Sequence, residues 1–192
     1  MTNGELRKKK EKKEQKEKRK LRKKILRWVI GGGLTAAVIV LLGYWGSSQT
    51  PPSPLEEQFP LEGESHVSPE TKGTYKTDPP TSGNHYGSTA EPKFYSTSVP
   101  PELLVHNLEH GHIVIYYNES RLSADDILKI RNLTDRYRGP WDAVLAVPRA
   151  DIQHPLILTA WRRMLKLPRY DDNTVTAFVD KYRGRGPERR VR

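Results

Sequence analysis

Between Trp28 and Trp45 the chain runs for eighteen residues without a charged side chain. With Ile25 and Leu26 this run reaches the ~20 apolar residues needed to cross ~30 Å of hydrocarbon. Trp28 stands at one end and Tyr44 and Trp45 at the other, where aromatic side chains anchor a span at the membrane interface. Residues 1–27 carry fourteen Lys/Arg and four Glu, a net of +10, whereas residues 28–192 carry nineteen of each sign and balance. That one-sided charge predicts a single-pass protein of the cell membrane, with its N-terminus in the cytoplasm and residues 46–192 outside. The apolar run is longer than the about 7–15 residues of a signal-peptide core, and no Ala-x-Ala site follows it. An uncleaved anchor is therefore expected.

The expected organisation follows. Residues 1–24 are a basic cytoplasmic tail, residues 25–45 a transmembrane helix, residues 46–62 a Pro/Ser-rich stalk, residues 63–188 an extracytoplasmic domain and residues 189–192 a loose tail. The polybasic tail sets the topology and can meet anionic lipids at the cytoplasmic leaflet. No nucleic-acid partner is expected, because the positive charge resides in the tail and leaves no basic excess on the folded part. There is no cysteine, which excludes disulfides, thiolate metal sites and cysteine nucleophiles. No protein partner is indicated.

In the outer domain, residues 65–101 are rich in Pro, Gly, Ser and Thr and show no helical or alternating period. Pro100-Pro101-Glu102 can open a short helix carrying Leu103 to His110, with Gly111 as its stop. His112 to Tyr117 is β-branched and aromatic and reads as a strand buried on both faces. Ser123 to Asp126 resembles a capping box, and Ile127, Ile130, Leu133 and Tyr137 continue it at helical spacing. Ala143 to Val147 reads as a second strand. Leu156 to Trp161 reads as a third, with Leu165 and Leu167 as its extension. Asp171 and Asp172 cap a final helix that buries Val175, Phe178, Val179 and Tyr182. Sequential strands with short connections predict an α+β fold: a small, mainly antiparallel sheet packed with helices.

Four separated motifs then stand in order. They are Pro79-Pro80-Thr81-Ser82-Gly83-x-His85-Tyr86, His106-Asn107-Leu108-Glu109-His110-Gly111 with its following strand, Leu158-Thr159-Ala160-Trp161, and Gly186-Pro187-Glu188. Over about residues 63–188 the chain resembles the bacterial domain-of-unknown-function family 3105. The resemblance implies one N-terminal anchor and an outer domain, and it implies no reaction.

The chemistry is argued from the histidines. On a helix, His106 and His110 stand one turn apart on one face, a spacing that suits two imidazoles on one ion. His85, in a Gly-flanked loop, can add a third ligand. Glu109 or His112 can serve as a fourth ligand or hold an imidazole tautomer from outside. An all-imidazole site without thiolates suits Cu or Zn. The competing reading is that these histidines are structural. His66 and His154 read as plain surface groups, and Met164 as core.

Two other functional classes compete. His106-x-x-Glu109-His110 matches the pattern of inverted zinc peptidases, with the glutamate as general base. Against it, the pattern needs a continuing helix and a third carboxylate ligand on another helix, whereas Gly111 and a strand follow at once. An envelope scaffold or partner-binding module is the third class. It would use Tyr75, Tyr86, Phe94, Tyr95, Tyr116, Tyr117 and Trp161 as an aromatic cleft.

Overall fold

The computed structural model describes residues 56–188, together with Lys20 and Arg22. The predicted transmembrane run with Trp28, Tyr44 and Trp45, and most of the basic tail, lie outside the described residues. Among the described residues no helix is long and apolar enough to cross a membrane. The chain divides into two compact units at Pro51/Pro52, and the second contains the whole fold described below.

Among the described residues of this second unit, seven strands and three α-helices follow in order: β1 (Glu56–Gln58), β2 (His66–Val67), β3 (His85–Tyr86), α1 (Pro101–Glu109), β4 (Ile113–Tyr117), α2 (Ala124–Arg136), β5 (Val144–Pro148), β6 (Leu156–Ala160), β7 (Arg163–Leu167) and α3 (Asp172–Tyr182), with a short 3-10 helix (Glu119–Arg121) between β4 and α2. Five of the strands form one sheet in the order β1-β7-β6-β4-β5, and β2 pairs with β3 alone. The fold is α+β as expected, but the sheet is mixed and not mainly antiparallel. β4 and β5 run parallel, because the thirteen-residue α2 lies between them and returns the chain to the same end of the sheet.

Two further differences have local causes. β7 is a separate strand and not an extension of β6: Arg162 adopts φ +60 and turns the chain back on itself. The Arg162 N–H donates to the Thr81 carbonyl at 2.8 Å, and the Phe59 N–H to the Arg162 carbonyl at 3.0 Å, so the turn is clamped from both sides. In addition, Glu56–Gln58, inside the stretch read as stalk, pairs antiparallel with β7. Glu56 accepts from Lys181 Nζ at 3.2 Å and from the Tyr182 hydroxyl, which ties this edge strand to α3.

The interior strand β4, between β6 and β5, is buried along its whole length. Ile113, Ile115 and Tyr117 face a cluster built with Ile130 and Leu133 of α2 and Val175, Phe178 and Val179 of α3. Val114 and Tyr116 face the opposite cluster with Leu104 and Leu108 of α1 and Met164 of β7. This alternation puts α2 and α3 on one face and α1 on the other. The capping box at Ser123 is present in both directions, and Asp171 Oδ1 accepts from the Thr174 N–H at 2.8 Å. The aromatic residues proposed to line one cleft are divided by the sheet. Phe94 and Tyr117 lie on the α2/α3 face, stacked at 5.0 Å, while Tyr95, Tyr116 and Trp161 lie on the α1 face.

Candidate metal centre

Helix α1 has only nine residues, and its apolar Leu104 and Leu108 pack it against the sheet, with Val105 buried beside them. Its opposite face carries Glu102, His106 and Glu109, four and three residues apart and therefore in line along the helix. Those polar groups are buried too, because the long irregular stretch lies over them. Glu102 Oε1 accepts from the Gly73 N–H at 2.7 Å. Asn107 Oδ1 accepts from the Ala90 N–H and its Nδ2 donates to the Ala90 carbonyl, both at 2.9 Å. The segment of residues 65–101 is thus fixed to α1 by side-chain hydrogen bonds where regular secondary structure is nearly absent.

His85 comes from this segment and is completely buried. Its Nδ1 lies 2.8 Å from the Gly83 carbonyl oxygen. A carbonyl only accepts, so Nδ1 carries a proton and donates it. In a neutral ring Nε2 then holds a lone pair, and it lies 3.0 Å from Glu109 Oε2. Two lone pairs do not face one another at that distance. The contact needs a proton on one partner or a cation shared by both. Burial pushes the Glu109 carboxyl above the usual range, the charge of Glu188 adds to this, and His85 and His66 oppose it.

The short parallel pair β2–β3 sets His66 directly beside His85, with ring centroids 5.1 Å apart. His106 completes a triangle, 4.8 Å from His66 and 4.9 Å from His85. One potential ligand atom from each of His66, His85, His106 and Glu109 lies within 4.8 Å of all the others. His66, read from sequence as a plain surface group, is part of this cluster, although its side chain is 53% exposed. Burial, then the charges of His110, His85 and His66, drives the His106 imidazole down to about 4. His106 is therefore neutral at physiological pH, the form that offers a lone pair to a metal. Its Nδ1 is buried without a hydrogen-bond partner of good geometry, and the Ser88 backbone only weakly favours the protonated ring.

His110 takes a different partner. Its Nε2 lies 2.9 Å from Glu188 Oε2, and His106 Nε2 lies 3.8 Å from the same oxygen. His106, His110 and Glu188 form a second set with ligand atoms within 4.8 Å, and His110 stacks on Trp141 at 4.2 Å. Glu188 reaches this place because the chain after α3 folds back over the end of α1. Gly111, at φ +92, and Gly186 meet backbone to backbone: a Cβ on Gly111 would fall 2.7 Å from the Gly186 nitrogen. The Glu188 N–H then donates to the Glu109 carbonyl at 3.2 Å. The carboxylate that the His-x-x-Glu-His pattern requires is thus present, on the segment after α3 and not on a helix.

Of the sequence-predicted residues, His85, His106 and Glu109 meet in one cluster, and His110 joins His106 in the other. His112 belongs to neither. Asn107 Nδ2 donates to its Nδ1 at 3.0 Å, and its Nε2 donates to the Pro140 carbonyl at 2.9 Å. Both ring nitrogens are used, and burial holds the imidazole below its ordinary pKa. Met164 is core, 1% exposed. Two residues escaped the reading of the sequence. Glu188 stood in a quoted motif but was given no role. His66 stands in no local pattern, and only the two-residue β2–β3 pairing brings it in.

A family model described as "Protein of unknown function (DUF3105)" matches residues 66–192. No curated protein and no solved structure matches the chain.

Proposed function

Since the chain belongs to the DUF3105 family, whose description carries no activity, we propose from its own residues that it binds a transition-metal ion through His66, His85, His106 and Glu109. The observation that carries this is the 3.0 Å contact between His85 Nε2 and Glu109 Oε2, in which a cation can replace a proton. Three imidazoles and one carboxylate make a four-donor set of the kind that holds Zn, and imidazole equally suits Cu(II). The Gly83 carbonyl orients His85 from behind, as groups outside a metal's ligand set commonly do. The site's place outside the cell membrane, on a single-pass anchor with a cytoplasmic N-terminus, is part of the same reading. It is supported by the uncharged run from Trp28 to Trp45 and by the one-sided charge before it. The basic tail then contacts anionic lipids.

The test is the metal content and affinity of the purified, tag-free full chain, compared with His106→Ala. The wild type should hold Zn or Cu tighter than micromolar and the variant should lose it. Equal binding by both, or none by either, leaves the histidines as structural ties between the loop and α1, and returns the chain to an envelope scaffold or partner-binding module.

One observation favours a second reading, metal-dependent hydrolysis. Glu188 supplies the third ligand that His106 and His110 need under the inverted zinc-peptidase pattern, leaving Glu109 as the base. Zinc-dependent cleavage of an activated ester, abolished by Glu109→Gln, would support it.

A further inference from the structure

We propose that His106, His110 and Glu188 form a second cation station that shares His106 with the first, and that one divalent transition-metal ion occupies the two positions in turn. This rests on the reading of the His66, His85, His106 and Glu109 cluster as a metal centre, and adds a second position to it.

The second set offers two imidazoles and a carboxylate, a three-ligand arrangement that leaves a fourth position open. Both sets open to solvent on one side, through Glu188 (47% exposed) in the second and His66 (53%) in the first, whereas Glu109 is 10% exposed and His85 0%. The His106 side chain lies between the two sets at 6% exposure, and its Nδ1 is the buried imidazole nitrogen left without a partner among the described residues.

Two arguments limit the occupancy to one ion. A neutral imidazole has one lone-pair nitrogen, so His106 ligates one ion at a time unless it loses its second proton. Glu109 and Glu188 together carry two negative charges, which balance one divalent cation. A second ion would leave two positive charges without a counter-charge among the ligands of either set. An ion moving inward exchanges Glu188 and His110 for Glu109, His85 and His66 while His106 stays bound. The proton between His85 and Glu109 leaves to water, and no oxidation state changes.

The tag-free full chain in detergent micelles is titrated with Co²⁺ alone, whose visible bands report the ligand set. The wild type should bind one Co²⁺ per chain. Glu188→Gln, at an exposed position, should still bind one but with altered bands, because the ion is confined to the inner station. His85→Gln combined with Glu109→Gln should retain one Co²⁺ at the outer station, about 10- to 100-fold weaker, and lose it when His106→Ala is added. Two Co²⁺ per wild-type chain, or Glu188→Gln bands superimposable on the wild type, overturn the second station and leave the metal centre standing. A folded inner-station variant that binds no Co²⁺ does the same. A wild type that binds none removes the underlying reading. Should the inner-station variant not fold, the Glu188→Gln spectrum decides.

Discussion

Gly111 and Gly186 touch through their backbones, and this contact, flanked by the Gly184 N–H donating to the Gly111 carbonyl at 2.8 Å and the Glu188 N–H to the Glu109 carbonyl at 3.2 Å, sets where the chain after α3 goes. A Cβ on Gly186 would overlap the Glu109 carbonyl oxygen and the Gly111 nitrogen. Gly186→Ala should therefore lift the segment away from α1 and separate Glu188 from His110. The expected cost is about 1–3 kcal/mol, as for other overpacked sites, measured by denaturant unfolding. The altered Co²⁺ bands expected of Glu188→Gln should accompany it. Unchanged stability and unchanged bands would count against the contact.

Glu109→Gln separates a ligand from a structural tie. A glutamine amide can donate to His85 Nε2 and keep the hydrogen bond now seen at 3.0 Å. Folding stability should fall by no more than about 1 kcal/mol, the net worth of an ordinary hydrogen bond. Metal affinity should fall by at least about 10-fold. Stability loss without any affinity loss, read from thermal melts and a competition titration, would favour the structural role.

Asn107→Ala tests what holds the long segment to α1. It strands the Ala90 N–H and C=O and removes the donor to His112 Nδ1. Each buried group left unpaired costs about 1–3 kcal/mol. Amide exchange at Ala90 should rise sharply, and metal binding should weaken through His85 although no ligand was touched.

At high pH the buried tyrosines set the limit. Burial pushes the Tyr117 hydroxyl up to about 12, and Tyr75, Tyr116 and Tyr170 are raised further for the same main reason. The fold favours the neutral phenol, so this stabilisation is fully present below about pH 10, the ordinary tyrosine value. It is lost as pH rises through the folded values. Tyr117→Phe removes the hydrogen bond from the hydroxyl to the Tyr95 carbonyl, 2.7 Å. It should lower stability at pH 7 yet flatten the loss above pH 10. Denaturant unfolding followed by circular dichroism across pH 7–12 measures both effects.

The regular part of the fold was legible because its signals are local. Ser123 and Asp126 name a helix start, Gly111 names a stop, and the burial of β4 on both faces is written in Ile113 to Tyr117. The parallel β4–β5 pair was missed because the antiparallel expectation rests on short connections, whereas these two strands are joined through the helix α2. β7 was merged with β6 because Arg162, which makes the turn at φ +60, is not a residue that announces one. In the candidate site, His106, Glu109 and His110 could be placed from helical spacing alone, and His85 from its glycine-flanked loop. His66 and Glu188 could not. One arrives through a two-residue strand pairing and the other through the approach of two glycines, and neither leaves a periodic trace in the sequence.

The three-residue strand β1 has a mechanical meaning. It is the first described strand in the chain, so tension transmitted by the residues before it is borne first by its ladder. Three antiparallel residue pairs with β7, together with the anchorage of Glu56 on Lys181 and Tyr182, take that load. If this ladder yields, Phe59 and the turn at Arg162 lose their neighbour next, and the Thr81–Gly83 segment that aims His85 follows. A pull on the amino-terminal side would therefore loosen the histidine cluster before it opened the sheet's centre.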